Sequence, residues 1–136
     1  VGVEEFLLDA ALRSIIAQRL ARRLCPACAV PHPDAARLTA LYRLDALARR
    51  YGVATPQLMQ ARGCEGCAST GYRGRVAVVE YLRCDEGIRA LPKSERFLTA
   101  AREYNQTQGL RTLLEDGFLK ALSGITTLDE VLRVAG

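Results

Sequence analysis

Two closely spaced cysteine pairs are the residues of this sequence whose types and spacing could do chemistry. Cys25 and Cys28 form one C-x-x-C motif, and after a spacer of 35 residues Cys64 and Cys67 form a second. A tight turn brings two sulfurs separated by two residues to one side of the backbone, so two such pairs can complete a tetrahedron around one metal ion. Four cysteines with no other sign of redox chemistry are typical of structural zinc. We therefore predict a structural Zn²⁺ site formed by these four residues.

Two other kinds of cysteine chemistry stay open at this point. Four sulfurs can also hold a single iron ion, as in rubredoxin, and a C-x-x-C motif can act as a thiol redox pair. Reactive C-x-x-C motifs open a helix that follows a strand, whereas the residues before Cys25 are predicted as a helix. Closing a loop of about 36 residues costs on the order of 3 kcal/mol, while a structural zinc site contributes on the order of 10 kcal/mol. Structural zinc is therefore preferred.

Two further residues could take part in such chemistry. His32 follows Cys28 by four positions and lies between two prolines. It could replace a cysteine ligand, but four sulfurs already fill a closed site, so we expect an exposed loop histidine. Cys84 has no partner pair. We expect it to be a small buried residue, with a reactive thiol as the alternative.

Length and composition favour a small globular protein of a reducing compartment. The chain has 136 residues, 49% hydrophobic and 25% charged, which fits one domain, or one domain with a small subdomain. Its five cysteines are an odd number, which argues against a disulfide framework. No run of about 18 apolar residues occurs, so we expect neither a membrane span nor a secretion signal.

Motifs that bind nucleotide phosphates do not occur in the sequence. Neither G-x-x-x-x-G-K-[ST] nor G-x-G-x-x-G is present, so an independent nucleotide-hydrolysing enzyme is not expected. The net charge of +4 raises a free-standing zinc-dependent nucleic-acid-binding module as an alternative of another class. However, only 6% of the residues are aromatic, which leaves few platforms for base stacking. We therefore expect no nucleic acid partner.

The elements that must position the cysteines are predicted mostly as helices. Apolar residues recur every three or four positions over residues 4–24, which predicts a long helix running into the first pair. Asp34 is a suitable N-cap for a second helix over residues 34–52, and Pro56 at a first helical position predicts a third over residues 55–63. These two helices would form a lobe above the metal.

The second half of the chain is predicted as one strand followed by helices. β-Branched and aromatic residues over 75–82 predict a strand, paired with the segment around residues 69–73 or with an edge outside this chain. Capping residues predict helices over 94–108 and 112–124, and another from residue 127. The predicted fold class is thus mainly α with a small β element, a zinc-pinned helical lobe and a compact C-terminal helical bundle.

Several short motifs occur together in this sequence, and one of them is the run Arg22-Arg23-Leu24-Cys25 with Cys28. Together these motifs resemble those of a known family, the secretion ATPases of type II secretion systems and of type IV pilus assembly. All of them follow the family's order along essentially the whole chain, at residues 6–8, 17–20, 22–28, 63–75, 109–117 and 124–134. The resemblance implies that the four cysteines form the tetracysteine zinc subdomain of that family. A type II system is favoured over a pilus system by the runs at residues 22–25 and 128–134.

The resemblance also implies a place in a larger protein. That protein would be a hexameric, cytoplasmic ATPase at the cytoplasmic face of the inner membrane, which powers protein export and contacts inner-membrane secretion platform proteins and neighbouring subunits. The family's phosphate loop, aspartate box, acidic magnesium segment and histidine box lie upstream and are not present here. The resemblance thus implies a C-terminal fragment that does not hydrolyse ATP itself, with ATP and Mg²⁺ bound only in the parent protein.

Three parts of the chain are implied in that context. Residues 1–24 would be the last helix of the motor core, residues 25–74 the tetracysteine subdomain, and residues 75–136 a strand followed by a C-terminal helical subdomain.

Overall fold

The computed structural model describes residues 14–83, 85–92 and 94–136. These residues fall into two compact units. The cysteine unit comprises residues 18–78 and 113–136, and the second unit comprises the described residues of 79–112 together with residues 14–17. In chain order the elements are β1 (Ser14–Leu24), β2 (Val30–Pro31), α1 (Ala35–Leu41), α2 (Leu44–Arg50), β3 (Met59–Gln60), a 3₁₀ turn (Glu65–Cys67), β4 (Tyr72–Arg83), α3 (Glu86–Arg89), α4 (Phe97–Thr107), α5 (Leu113–Leu122) and α6 (Leu128–Ala135).

The segment before the first cysteine pair is a strand, so the prediction of a helix there is wrong. β1 covers residues 14–24, and the earlier part of the predicted helix lies outside the described residues. The predicted apolar stripe is not buried, because two of its members, Ile16 and Leu20, are 62% and 45% exposed. Alanine and arginine favour helix locally, but the hydrogen bonds available from a distant strand override that preference.

The distant partner of β1 is β4. The predicted strand over residues 75–82 is confirmed and is longer, covering residues 72–83. The Cys25 N–H donates to the Gly71 carbonyl (2.9 Å) where β1 ends and β4 begins, so the two strands run antiparallel. The expectation that β4 pairs with residues 69–73 or with an edge outside the chain is therefore wrong.

The spacer between the cysteine pairs contains less helix than predicted. The helix predicted over residues 34–52 is divided into α1 and α2 by Arg43, which has a left-handed backbone (φ 54°). The helix predicted over residues 55–63 is not present: β3 lies there and pairs antiparallel with β2. Backbone groups of this segment bond to distant residues instead of to one another, since the Gln57 N–H donates to the Leu122 carbonyl (2.9 Å).

The core of the cysteine unit joins this spacer to the last two helices. Gly117 on α5 allows close packing, since a Cβ there would lie 2.5 Å from Val131 Cγ1 on α6. Both helices were predicted, as residues 112–124 and from residue 127, and both are confirmed. The buried apolar residues of this core are Leu44, Ala48, Leu58, Phe118, Ala121, Leu122, Leu128 and Val131.

The second unit contains the described helices α3 and α4. Asp85 caps α3 by accepting a hydrogen bond from the Ile88 N–H (3.1 Å). The helix predicted over residues 94–108 is confirmed with narrower bounds, as α4. From α4, Arg102 pairs with the buried carboxylate of Glu80 (3.3 Å).

The fold class agrees with the prediction in outline. The described residues are mostly helical, with a smaller β part, and the β part is larger than the sequence suggested because β1 belongs to it. Within the described ranges, no helix has the length and apolar character needed to cross a membrane. The three-part domain division stays a prediction.

Candidate metal centre

The two cysteine pairs lie on two turns that flank the paired strands. Cys25 and Cys28 occupy the turn that directly follows β1, and the Ala29 N–H donates back to the Cys25 carbonyl (3.1 Å). Cys64 and Cys67 enclose the 3₁₀ turn just before β4. Because β1 and β4 are antiparallel, the end of one strand and the start of the other lie side by side. This topology brings together two pairs that are 35 residues apart in the sequence.

The four sulfurs converge on one point. All four Sγ atoms lie within 4.8 Å of one another. Sγ–Sγ distances are 3.8 Å for Cys25 and Cys64, 3.8 Å for Cys28 and Cys67, and 3.6 Å for Cys64 and Cys67. A tetrahedron with Zn–S bonds of about 2.3 Å has edges of about 3.8 Å, whereas a disulfide needs about 2.05 Å. The arrangement therefore fits a four-sulfur metal centre and excludes disulfides between these cysteines.

Burial makes this centre a closed one. Cys25 is fully buried, Cys28 and Cys67 are nearly so, and Cys64 is partly buried. The four side chains pack against one another as a small cluster of their own. Four protein sulfurs in a buried tetrahedral set leave no open position for a substrate, which is typical of structural rather than catalytic zinc.

Backbone N–H groups favour the thiolate form of Cys67. The N–H groups of Cys64 (3.2 Å) and Gly71 (3.1 Å) both donate to its Sγ. Burial opposes ionisation, but these donors outweigh it and lower the pKa of Cys67 to about 6. At Cys28, burial dominates and raises the pKa to about 11. Since a thiolate is the form that binds metal, the backbone N–H groups of Cys64 and Gly71 prepare Cys67 for binding.

Gly71 is a residue of this site that sequence reasoning did not single out as such. Its φ is +83°, and a Cβ there would lie 2.5 Å from the Cβ of Ala61. Only glycine combines this backbone conformation with so close an approach. The consequence is that Gly71 directs its N–H to Cys67 and its carbonyl to Cys25. The signal in the sequence that could have identified Gly71 is a glycine that lies shortly after the second cysteine pair and just before a strand.

The other two residues considered from the sequence are not part of this cluster. The His32 Nδ1 accepts a hydrogen bond from the Asp34 N–H (3.0 Å). Among the described residues, only the four cysteines form a group able to hold a metal ion, so His32 does not belong to the ligand set. Cys84 lies outside the described residues.

A buried carboxylate on α6 lies close to the strand that leads to Cys25. Glu130 is 2% exposed, and its Oε atoms accept hydrogen bonds from Arg22 and Arg133. The hydrogen bonds from Arg133 have the largest effect on the pKa of Glu130, and those from the Arg22 side chain and backbone N–H add to it. Together they outweigh the effect of burial and lower the pKa of Glu130 to about 2. Arg22 is thus a residue of β1 with a buried carboxylate partner on α6.

The sequence is similar to known proteins along nearly the whole chain. Residues 1–133 match the family described as type II/IV secretion system protein. The type IV pilus assembly ATPase PilB of Thermus thermophilus is 41% identical over 97% of this chain and 14% of its own length. The type II secretion system protein E of Pseudomonas aeruginosa is 38% identical over 98% of this chain and 25% of its own. The type IV pilus assembly ATPase PilB of Myxococcus xanthus is 36% identical, with 97% and 23% covered.

Proposed function

This chain belongs to the type II/IV secretion system protein family, and we propose that it forms the zinc-stabilised C-terminal part of a hexameric secretion ATPase. The relatives, both secretion proteins and pilus assembly ATPases, are longer, and the chain spans 14% to 25% of the length of those compared above. In this proposal, ATP and Mg²⁺ bind to residues of the parent protein outside these 136. The role of the chain is then mechanical, and its own residues carry no hydrolysis.

The observation that carries the proposal is the four-sulfur cluster. Cys25 and Cys28 would hold the metal from the end of β1, and Cys64 and Cys67 from the start of β4. A structural Zn²⁺ supplies a fixed cross-link and no reaction chemistry. It would fasten two segments whose separation in sequence makes their spontaneous pairing entropically costly.

A metal cross-link between the end of β1 and the start of β4 is suited to transmitting movement from the parent protein to the cysteine unit. The helices that follow the spacer, α5 and α6, share a core with α2. If nucleotide-driven motion in the parent reaches β1, a zinc-fixed cysteine unit would move with it as a rigid body. The receivers in this proposal are neighbouring subunits and inner-membrane secretion platform proteins. The protein would thus be cytoplasmic and associate with the inner membrane through its partners.

Protein export by a type II system is the first candidate and pilus assembly the second. The runs at residues 22–25 and 128–134 favour the former. The identity of 41% with the Thermus pilus protein, against 38% with the Pseudomonas secretion protein, favours the latter. Complementation of deletion strains of each kind with a chimaeric parent that carries these residues would separate the two candidates.

Metal analysis of purified protein tests the zinc part of this proposal. We expect one zinc and no iron per chain, and loss of that zinc in Cys25→Ser and Cys64→Ser. Cys84→Ser is the matched control, because Cys84 belongs to neither pair, and it should keep the metal. Substitution with Co²⁺ should give the absorption of a tetrahedral thiolate site. Metal-free protein that folds normally would contradict the zinc role, and bound iron would favour the rubredoxin-like alternative.

A further inference from the structure

We propose that Glu130 on α6 is a positioning residue of the metal centre, because it and its neighbours hold the two strand ends that adjoin the cysteine pairs. The inference rests on the proposed zinc site and goes beyond it. It assigns to the C-terminal helix a part in retaining the metal.

The first contact set fixes the end of β1. The Arg22 backbone N–H donates to Glu130 Oε2 (2.7 Å), and its guanidinium Nη2 donates to Oε1 (2.9 Å). The Arg22 carbonyl accepts from the Thr126 hydroxyl (2.6 Å), and the Leu24 N–H donates to the Ile125 carbonyl (2.9 Å). Backbone groups on both residues are therefore held from the α5–α6 connection and α6. The next residue along the chain is the first cysteine ligand.

The second contact set fixes the start of β4. The Tyr72 hydroxyl forms a hydrogen bond with the hydroxyl of Thr127, the N-cap of α6 (2.9 Å). The guanidinium carbon of Arg22 lies 4.2 Å from the centroid of the Tyr72 ring, which is a cation–π distance. Tyr72 directly follows Gly71, whose N–H donates to Cys67 Sγ. The same small group of side chains thus holds residues that adjoin both halves of the sulfur cluster along the chain.

Glu130 is the centre of this arrangement. Its two carboxylate oxygens also receive Arg133 Nε (3.0 Å) and Nη2 (2.7 Å), so four donors meet on one buried carboxylate. A buried carboxylate whose donors include a backbone N–H fixes main-chain position, which a surface ion pair does not. Partners outside the ligand set that orient the ligands commonly change metal affinity by about 10- to 100-fold when they are removed.

The coupling between metal binding and the position of α6 must act in both directions. If the position of α6 affects retention of the metal, then loss of the metal must loosen α6 to the same extent. Metal removal is therefore expected to speed amide hydrogen exchange at α6 residues such as Val131, which is buried in the apolar core.

The test measures the rate at which zinc passes from the protein to an excess of a coloured chelator. Glu130→Gln is expected to release zinc about 10-fold faster or more. Tyr72→Phe, which removes only the hydroxyl, should raise the rate less and is the milder variant if Glu130→Gln folds poorly. Glu80→Gln is the matched control, since Glu80 is also buried and paired with an arginine but lies in the second unit. Its release rate should equal that of the unsubstituted protein.

A second measurement keeps the two proposals separate. Alkylation of each cysteine, followed residue by residue by mass spectrometry, should be faster at Cys25 and Cys67 in Glu130→Gln than in Glu80→Gln, with or without metal. Absence of zinc from the unsubstituted protein would overturn the proposed zinc site but leave the alkylation difference as the test of Glu130. Equal release and equal alkylation in the Glu130 and Glu80 variants would overturn the role of Glu130.

Discussion

The cysteine unit contains two clusters of buried side chains that are stabilised by different physics. The sulfur cluster consists of four small side chains and a few backbone donors, and it contains no large apolar residue. The apolar core of the same unit combines α2 with α5 and α6 through leucine, valine and phenylalanine side chains. The first gains its stability from one bound ion and the second from area removed from water. They should therefore respond differently to the same kinds of perturbation.

The largest expected effect is loss of the proposed metal. A structural zinc site contributes on the order of 10 kcal/mol, comparable to the whole stability of a small domain. Cys67→Ser should therefore abolish zinc binding and the cooperative unfolding of the cysteine unit, as followed by circular dichroism during thermal melting. Cys84→Ser, which changes neither cysteine pair, should keep its zinc and its cooperative unfolding transition. A Cys67→Ser variant with an unchanged melting temperature would show that the apolar core alone holds this unit.

The apolar core should respond to truncation without losing the metal. Leu44 is fully buried, and Leu44→Ala should lower the free energy of unfolding by about 2–5 kcal/mol in urea titrations while the zinc content stays at one per chain. Leu41 lies close by in sequence but is 61% exposed, so Leu41→Ala should cost less than about 0.5 kcal/mol. Loss of zinc in Leu44→Ala would mean that the two clusters are not independent.

Two glycines after the second cysteine pair allow the cost of backbone strain to be measured separately from the cost of steric crowding. Gly71 (φ +83°) and Gly74 (φ +74°) both have left-handed backbones, but a Cβ would meet Ala61 at the first position and nothing within 4 Å at the second. Gly74→Ala should cost about 1 kcal/mol through strain alone, and Gly71→Ala about 3 kcal/mol through strain and the clash. Only Gly71→Ala should also weaken zinc retention. Urea titration and chelator competition measure the two quantities, and equal effects of both substitutions would contradict the crowding argument.

The smallest expected effect is a loss of stability in acid that comes from Glu130. Arg133, Arg22 and the Arg22 N–H lower its pKa from an ordinary 4.5 to about 2 in the folded protein. The unfolded chain therefore takes up its proton first, and the stabilisation is complete above about pH 5 and lost as the pH falls toward 2. Because both arginines are half exposed, we expect about 1–2 kcal/mol. The stability difference between the unsubstituted protein and Glu130→Gln should shrink from pH 6 to pH 3, and an unchanged difference would contradict this assignment.

The site was easier to predict from the sequence than the elements that position it. The four cysteines were found because metal ligation requires particular atoms at short spacing, and that requirement is visible in the sequence itself. The helices α5 and α6 were found because their caps and apolar periodicity are local. Gly71 and Glu130 were missed as parts of the site because their roles depend on residues that are distant in sequence. Thr127 begins α6 as predicted, since its hydroxyl accepts a hydrogen bond from the Glu130 N–H. The Glu130 side chain, however, bonds to Arg22, which is more than 100 residues away in the sequence.

What the sequence by itself determined was the set of four candidate ligands, the mainly helical class and the resemblance to a family, and the comparisons then confirmed that resemblance. The tertiary structure alone decided that residues 14–24 form a strand. A helix satisfies its backbone groups within its own segment, so its signals can be recognised locally. A strand satisfies them on another segment, and the partner of β1 lies beyond the whole spacer, so no local pattern could reveal it.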